Sequence, residues 1–178
     1  MNNSVRLSTP ADMPQVLRLI KELAVFEKEP NAVDITVDTL VKEGFGENPS
    51  FTCFVAEVEV EIVGMALVYD RFSTWKGRSI HLEDLIVNEK MRGTGVGKAL
   101  YSKVIAYAAA QKVKRLEWVV LDWNEGAIKF YEKSGASMLK DWYLVQMDEK
   151  GIIWLAHKTK RSPSAIKSMC AFWILSGN

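Results

Sequence analysis

The sequence predicts an α/β fold, a mixed sheet with helices on both faces. Three observations carry that prediction. Runs rich in β-branched and aromatic residues crowd the stretch from Phe51 to Val87, apolar residues at helical spacing flank it, and the glycine-rich stretch RGTGVGK (Arg92–Lys98) sits between an apolar strand-like run and a helical one. A strand, a helix and a further strand on this scale form a βαβ crossover, which places two parallel strands in the middle of the sheet.

The elements follow in order. SVRLS alternates as a short strand, and TPADMPQ offers Asp12 as a helix cap with Pro14 in the first turn. Val16, Leu19, Ile20 and Leu23 recur at helical spacing to about Glu27, before Pro30 stops the helix. TVDTLVKEGF reads as a shorter helix capped by Thr36, with Val37, Leu40 and Val41 facing inward. FTCFVAEVEV and EIVGMALVYDRF form two strands joined near Glu59 to Glu61 as a hairpin, and RSIHLEDLIVN is a third. After the glycine loop comes a helix from about Gly97 to Lys112, then the strand LEWVVLD, a short helix NEGAIKFYEKSG closed by Gly135, a strand SMLKDWYLVQM and a helical DEKGIIWLAHK.

Composition narrows the function. At 178 residues and 48% hydrophobic content, the chain can bury one core, so a single domain over residues 1–158 is expected. The 23 Lys and Arg balance 22 Asp and Glu, and a net charge of +1 gives no general attraction to nucleic acid or an anionic membrane. Cys53 and Cys170, with only His81 and His157 beside them, make neither a disulfide framework nor a zinc site, and no metal is expected. MNNSVRLSTPADMPQ has no basic segment followed by an apolar core, and no apolar run reaches the ~20 residues that span a bilayer, so a cytoplasmic protein is expected. Residues 159–178 form an extension of unassigned role, with a basic, Ser/Pro-containing start and an apolar patch from Ala171 to Leu175. Docking on its own domain or on a second subunit is the expectation for that tail.

Three anion-binding loops compete for RGTGVGK. A Walker A loop is disfavoured, because Arg92 stands where its first Gly belongs and Ala99 where the magnesium-holding hydroxyl belongs. A dinucleotide fingerprint is disfavoured as well: Gly93, Gly95 and Gly97 alternate, and the loop falls mid-chain. What remains is physical. Small residues let the backbone approach a ligand, N–H groups at the start of the next helix bind a pyrophosphate, and Arg92 and Lys98 add positive charge.

An Arg-x-x-Gly-x-Gly pattern directly after a strand resembles the acetyl-CoA loop of the GNAT superfamily of N-acetyltransferases. LEDLIVNEKM before the loop, LEWVVLDWN after it and the helix EGAIKFYEKSGAS complete the resemblance in order, from about Val5 to Ala156. It implies a central, mostly antiparallel mixed sheet with a splayed parallel strand pair. LRLIKELAVFEKEP, GFGENPSF, FSTWKGRSIHLEDLIV, WNEGAIKFYEKSGAS and the later Trp142 are similar to the spermidine/spermine (diamine) acetyltransferases and their thialysine-acetylating relatives. That resemblance implies a homodimer acting on a diamine, a polyamine or a lysine-like amino acid such as thialysine. Fewer acids follow the first helix here (Pro30, Asn31, Ala32), which tilts the expectation away from long polycations.

The resemblance also implies roles. Tyr131 donates a proton to the coenzyme sulfur, and Asn124 orients the helix that carries it or bonds the pantetheine arm. Backbone N–H groups at Leu85, Ile86 and Val87 polarise the acetyl carbonyl and pair with the pantetheine arm, with a bulge expected there. Arg92, Gly93, Thr94, Gly95, Val96, Gly97 and Lys98 hold the pyrophosphate. Glu83 takes the amine proton, directly or through water, while Glu27, Asp84, Trp75 and Trp142 surround the amine, carboxylates and aromatic walls suiting a cation. Alternating strand geometry points Glu83 and Asp84 to opposite faces. Lys90, Lys129 and Lys133 read as solvated lysines. Neither cysteine adjoins a histidine, so direct transfer in a ternary complex is expected rather than an acyl-enzyme. Acetylation of a protein lysine or N-terminus, and a silent coenzyme-binding scaffold, are the alternatives.

Overall fold

The computed structural model describes residues 4–161. The extension from Ser162 onward, with Cys170 and the apolar patch Ala171 to Leu175, lies outside the described residues. The chain divides into two compact units, Met1–Trp123 and Asn124–Asn178.

The first unit holds a five-stranded sheet in the order β1 (Ser4–Leu7), β2 (Thr52–Val58), β3 (Glu61–Ser73), β4 (Gly77–Val87) and β5 (Arg115–Glu117). All neighbours are antiparallel except β4 and β5, which run parallel. Helices α1 (Met13–Phe26) and α2 (Val37–Phe45) cover one face, and α3 (Val96–Ala110) covers the other. The mixed, mostly antiparallel sheet with helices on both faces is therefore as expected. Among the described residues, however, the parallel pair lies at the sheet's edge and not in its middle, since β5 is the last strand there.

Local chemistry explains the helices. Val16 and Leu19 are fully buried among Cys53, Val55 and Met65, as their spacing requires. Thr36 caps α2 by accepting a hydrogen bond from Thr39 N at 3.1 Å. Asp12 departs from expectation. Its carboxylate does not cap α1 but accepts from Thr9 N and Thr9 Oγ1 at 2.7 and 2.9 Å, and from both terminal nitrogens of Arg6. Arg6 also donates to Glu57, so three charged residues tie β1, β2 and the entry to α1 together.

On the other face, Val96, Leu100 and Val104 pack fully buried against Phe54, Ala66, Ile80 and Leu82. Gly64 permits that approach: a Cβ there would lie 2.9 Å from Ile86 O and 3.0 Å from Leu100 Cδ1. The β2–β3 hairpin closes through Glu59 and Val60, both at positive φ (51° and 70°), the two-residue turn that matches strand twist.

Two strand expectations are corrected. The segment read as a strand over LEWVVLD pairs only at Arg115–Glu117, and SMLKDWYLVQM forms no strand. Its apolar side chains stand exposed, Tyr143 at 93% and Val145 at 86%. Alternation signals a strand's faces but does not supply the neighbour whose N–H and C=O groups complete a ladder. The second unit's described elements are α4 (Glu125–Lys133) and α5 (Glu149–Arg161), and Gly135 at φ 91° follows α4 as expected.

Candidate active site

The site begins with a fault in β4. Leu82 pairs with Val68 and Asp84 with Leu67, so Glu83 is an extra residue, a β-bulge. Burial shows the same slip: Ile80 and Leu82 face the α3 core, and beyond the bulge Leu85 and Val87 do, while Ile86 joins the α1 core. Strict alternation thus fails at the Glu83–Asp84 pair, and the two do not simply point to opposite faces. The bulge expected at Leu85 to Val87 lies earlier, at Glu83.

Bulging gathers charge. Glu83 is half exposed and lies 3.6 Å from His81 Nε2. The Tyr69 hydroxyl is raised first by burial and then by the charge of Glu83, and the Tyr69 and His81 rings lie tilted with centroids 5.1 Å apart. Asp84 is half-buried, and its carboxyl is pushed up to about 6, first by burial and then by the neighbouring charges of Glu83 and Glu27. Glu27, the residue after α1, is also raised by lost hydration. Glu27 and Glu83 therefore both bear on Asp84, a setting that favours a cation. Burial lowers His81, which leaves its imidazole neutral at physiological pH.

Beside this cluster, part of one edge of β4 is unpaired among the described residues. The strand pairs with β3 along its length but with β5 only through Ser79, Ile80 and His81. Among the described residues no strand pairs with the β5-side edge from Leu82 to Val87, so the backbone around Leu85 to Val87 can bind an extended ligand as a further strand would. The strand then leads through a short turn, Glu89–Met91, into the glycine loop. Arg92 to Gly95 are exposed, Gly93 and Gly95 take φ of 77° and 93°, and nothing lies within 4 Å of a Cβ built on either. Gly95 is the N-cap of α3 and has no side chain to cap it, so the helix's first N–H groups face the loop uncapped. Arg92 bonds Val87 O at 3.3 Å and lies over the Phe26 ring at 5.1 Å, tying the loop to the end of α1. A groove of about 760 Å³, lined by Phe26, Lys90 and Arg92 among others, runs along this side. It adjoins the loop and does not include the acids.

A chain with a bulged strand, an open strand edge and a glycine loop opening a helix matches one family model, the acetyltransferase (GNAT) family, over residues 16–136. The chain belongs to the GNAT acetyltransferase family. It is 37% identical over 165 residues to the thialysine N-epsilon-acetyltransferase of Bos taurus, a match covering 86% of this chain and 97% of that one. It is 31% identical over 162 residues to the human spermidine/spermine N(1)-acetyltransferase-like protein 1, covering 85% of this chain but 23% of that longer protein. An integron cassette protein of V. cholerae shares the fold at a TM-score of 0.72 and 22% identity, covering 88% of this chain and 98% of its own. This GNAT protein is an acetyltransferase, and acetyl-CoA is the co-substrate that GNAT acetyltransferases use. The open edge and the uncapped loop fit that co-substrate's pantetheine arm and pyrophosphate.

Several residues named from the sequence lie elsewhere. Trp75 is 80% exposed at the β3–β4 hairpin tip, seven strand residues or roughly 20 Å from Asp84 at ~3.3 Å each, and is not brought to the acids within one copy. Tyr131, Asn124 and Trp142 belong to the second unit. There Asn124 caps α4 by accepting from Ala127 N at 3.2 Å, Tyr131 is buried, and Trp142 is 72% exposed. Lys129 pairs with Glu125 at 2.9 Å one turn away. Sequence reasoning passed over Tyr69 and His81, which hairpin pairing could have placed opposite each other. It also passed over Trp123, whose ring lies 5.3 Å from Phe26 and which carries Lys28 over its face. Among the described residues no cluster of metal-ligating side chains is present, and no helix is long and apolar enough to cross a membrane.

Proposed function

We propose that the protein transfers the acetyl group of acetyl-CoA directly to the primary amine of a small cationic substrate, a diamine, polyamine or lysine-like amino acid such as thialysine. The observation that carries this reading is the bulge that gathers Glu83, Asp84 and Glu27 beside the open edge of β4. The thialysine and spermidine/spermine names of its relatives support the same substrate group.

Acetyl-CoA supplies an activated thioester carbonyl. Asp84 and Glu27 hold the substrate's ammonium by charge, and Glu83 accepts its proton directly or through water. An alkylammonium with a pKa near 10 requires such help to become a nucleophile at neutral pH. Backbone N–H groups from Leu85 to Val87 hydrogen-bond the carbonyl oxygen as the amine attacks. Tyr131 donates its phenolic proton to the departing sulfur, while Asn124 holds the helix that carries it. Residues Arg92 to Lys98 bind the pyrophosphate. Trp75 and Trp142, both largely exposed, are surfaces that a second copy would cover, in keeping with a homodimer, and a cytoplasmic setting suits substrates of this kind.

Acetyl-CoA-dependent thiol release against spermidine, putrescine, thialysine, lysine and a lysine-containing peptide tests the proposal, with Tyr131→Phe as control. Turnover of a small amine that falls about 10²-fold or more in the variant is expected. Turnover of the peptide alone would instead favour a protein-lysine acetyltransferase, and a fully active Tyr131→Phe would remove the acid assigned here. The loop has its own test. Arg92→Glu, or Gly95→Asp at a φ of 93°, should weaken acetyl-CoA binding at least tenfold by calorimetry while amine binding changes far less. Equal losses for both ligands would contradict the loop's role.

A further inference from the structure

We infer that Arg71 binds the α-carboxylate of an amino-acid substrate whose side-chain amine meets Glu83 and Asp84, so that the site selects amino acids over diamines of equal chain length. The inference rests on the amine acetylation proposed above.

The sheet face explains why. Tyr69 on β3 sits opposite His81 on β4, and Glu117 on β5 sits opposite His81 from the other side. Arg71, two residues beyond Tyr69, shares its face. The Arg71 Nη1 approaches His81 Nδ1 at 3.4 Å, and the far nitrogen of the same ring faces Glu83 at 3.6 Å. A neutral imidazole suits both neighbours: Nδ1 accepts from the guanidinium, and Nε2–H points to the carboxylate. One imidazole ring therefore separates a guanidinium from the carboxylate assigned to the amine. That spacing is of the order of the distance between the amine and the α-carboxylate of an extended ornithine or lysine.

Charge counts in the same direction. Arg71 and Arg115 both pair with Glu117, Arg115 Nε at 2.8 Å, so two cations share one anion and a net positive charge remains. Both arginine side chains keep more than a third of their surface exposed, 48% and 38%, and can reach a ligand. At the opposite end stand Glu27, Glu83 and Asp84. A ligand with an ammonium at one end and a carboxylate at the other matches this polarity, and the planar guanidinium accommodates a carboxylate through paired N–H donors. The distal ammonium of a diamine would instead be placed against Arg71, a like-charge contact that discriminates against it.

The test compares kcat/KM of the full chain for L-lysine against cadaverine and for L-ornithine against putrescine, each pair differing only by the carboxylate. The amino acid should lead by at least tenfold in each pair, and L-lysine methyl ester, which carries no carboxylate charge, should drop to the level of cadaverine. Arg71→Gln should narrow the lysine-to-cadaverine ratio about tenfold, chiefly through KM, and Arg71→Lys should restore part of it. A purely structural role through Glu117 would lower both members together and leave the ratio unmoved, which would overturn the inference. The ester comparison uses the unaltered protein and so does not depend on how a variant folds. Acetylation of amines with equal or greater preference for the diamines overturns the role of Arg71 alone; acetylation of no amine overturns the underlying reading, and this inference with it.

Discussion

Glu83→Gln is expected to lower kcat for amine acetylation by about 10²–10³-fold, the usual contribution of a positioned general base, with a smaller change in KM. Glutamine keeps the size of the bulged residue but cannot accept the proton. Asp84→Asn should behave differently. Because the Asp84 carboxyl is held up to about 6, ammonium binding in the parent weakens as pH falls through that value, and kcat/KM should show an acid limb there. The limb should be missing from Asp84→Asn, and one that persists unchanged would detach it from Asp84. Stability should move in the opposite sense. A carboxyl raised in the folded state binds more protons there than in the unfolded chain between about pH 4 and 6, so its presence lowers stability as pH rises through that window. Asp84→Asn should match the parent near pH 4 and exceed it at pH 7 by roughly 1–2 kcal/mol in urea denaturation. A less active, more stable variant is the pattern expected where function holds a charge in an unfavourable place.

Asp12→Ala should be among the more destabilising single substitutions in the chain. The Asp12 carboxylate accepts four hydrogen bonds, two from Arg6 and two from Thr9, and its side chain is 10% exposed. Removing it leaves Arg6 facing Glu57 alone and frees the turn into α1. Breaking a fully buried pair costs about 3–5 kcal/mol; Arg6 is 38% exposed, so about 2–3 kcal/mol is the expectation here, a fall in Tm of about 5–10 °C for a chain of this size. The hydrogen bonds from Arg6 hold the Asp12 carboxyl down to about 2, a depressed value whose stabilisation is present above about pH 4 and is lost as pH falls through about 2. Scanning calorimetry at pH 7 and pH 2 reads both. A difference between parent and variant that failed to shrink in acid would place the effect of Asp12 in packing.

How much of this was legible beforehand depended on the range of the interaction concerned. Thr36 was visible as a cap because its partner is Thr39, three residues on, and Asn124 because its partner is Ala127. Asp12 looked like a cap by the same rule and is not one, since Arg6 and Thr9 compete for its carboxylate. The acids and the glycine loop could be named from their motifs. Their geometry could not, because the bulge that makes Glu83 an extra residue exists only in the register of β4 against β3.

By itself, the sequence determined the helices, the β2–β3 hairpin, the glycine loop and the family, all of which depend on neighbours a few residues apart or on motifs in order. Only the tertiary structure decided that β5 is three residues long and lies at the sheet's edge, that Ser137–Met147 pairs with no strand, and that burial together with Glu83 and Glu27 raises Asp84. It also decided that Arg71 meets His81 across the β3–β4 pair. A helix closes its hydrogen bonds within four residues. A strand, a buried carboxylate and a guanidinium beside an imidazole take their energies from partners distant in the chain, and those partners are chosen only when the whole sheet forms.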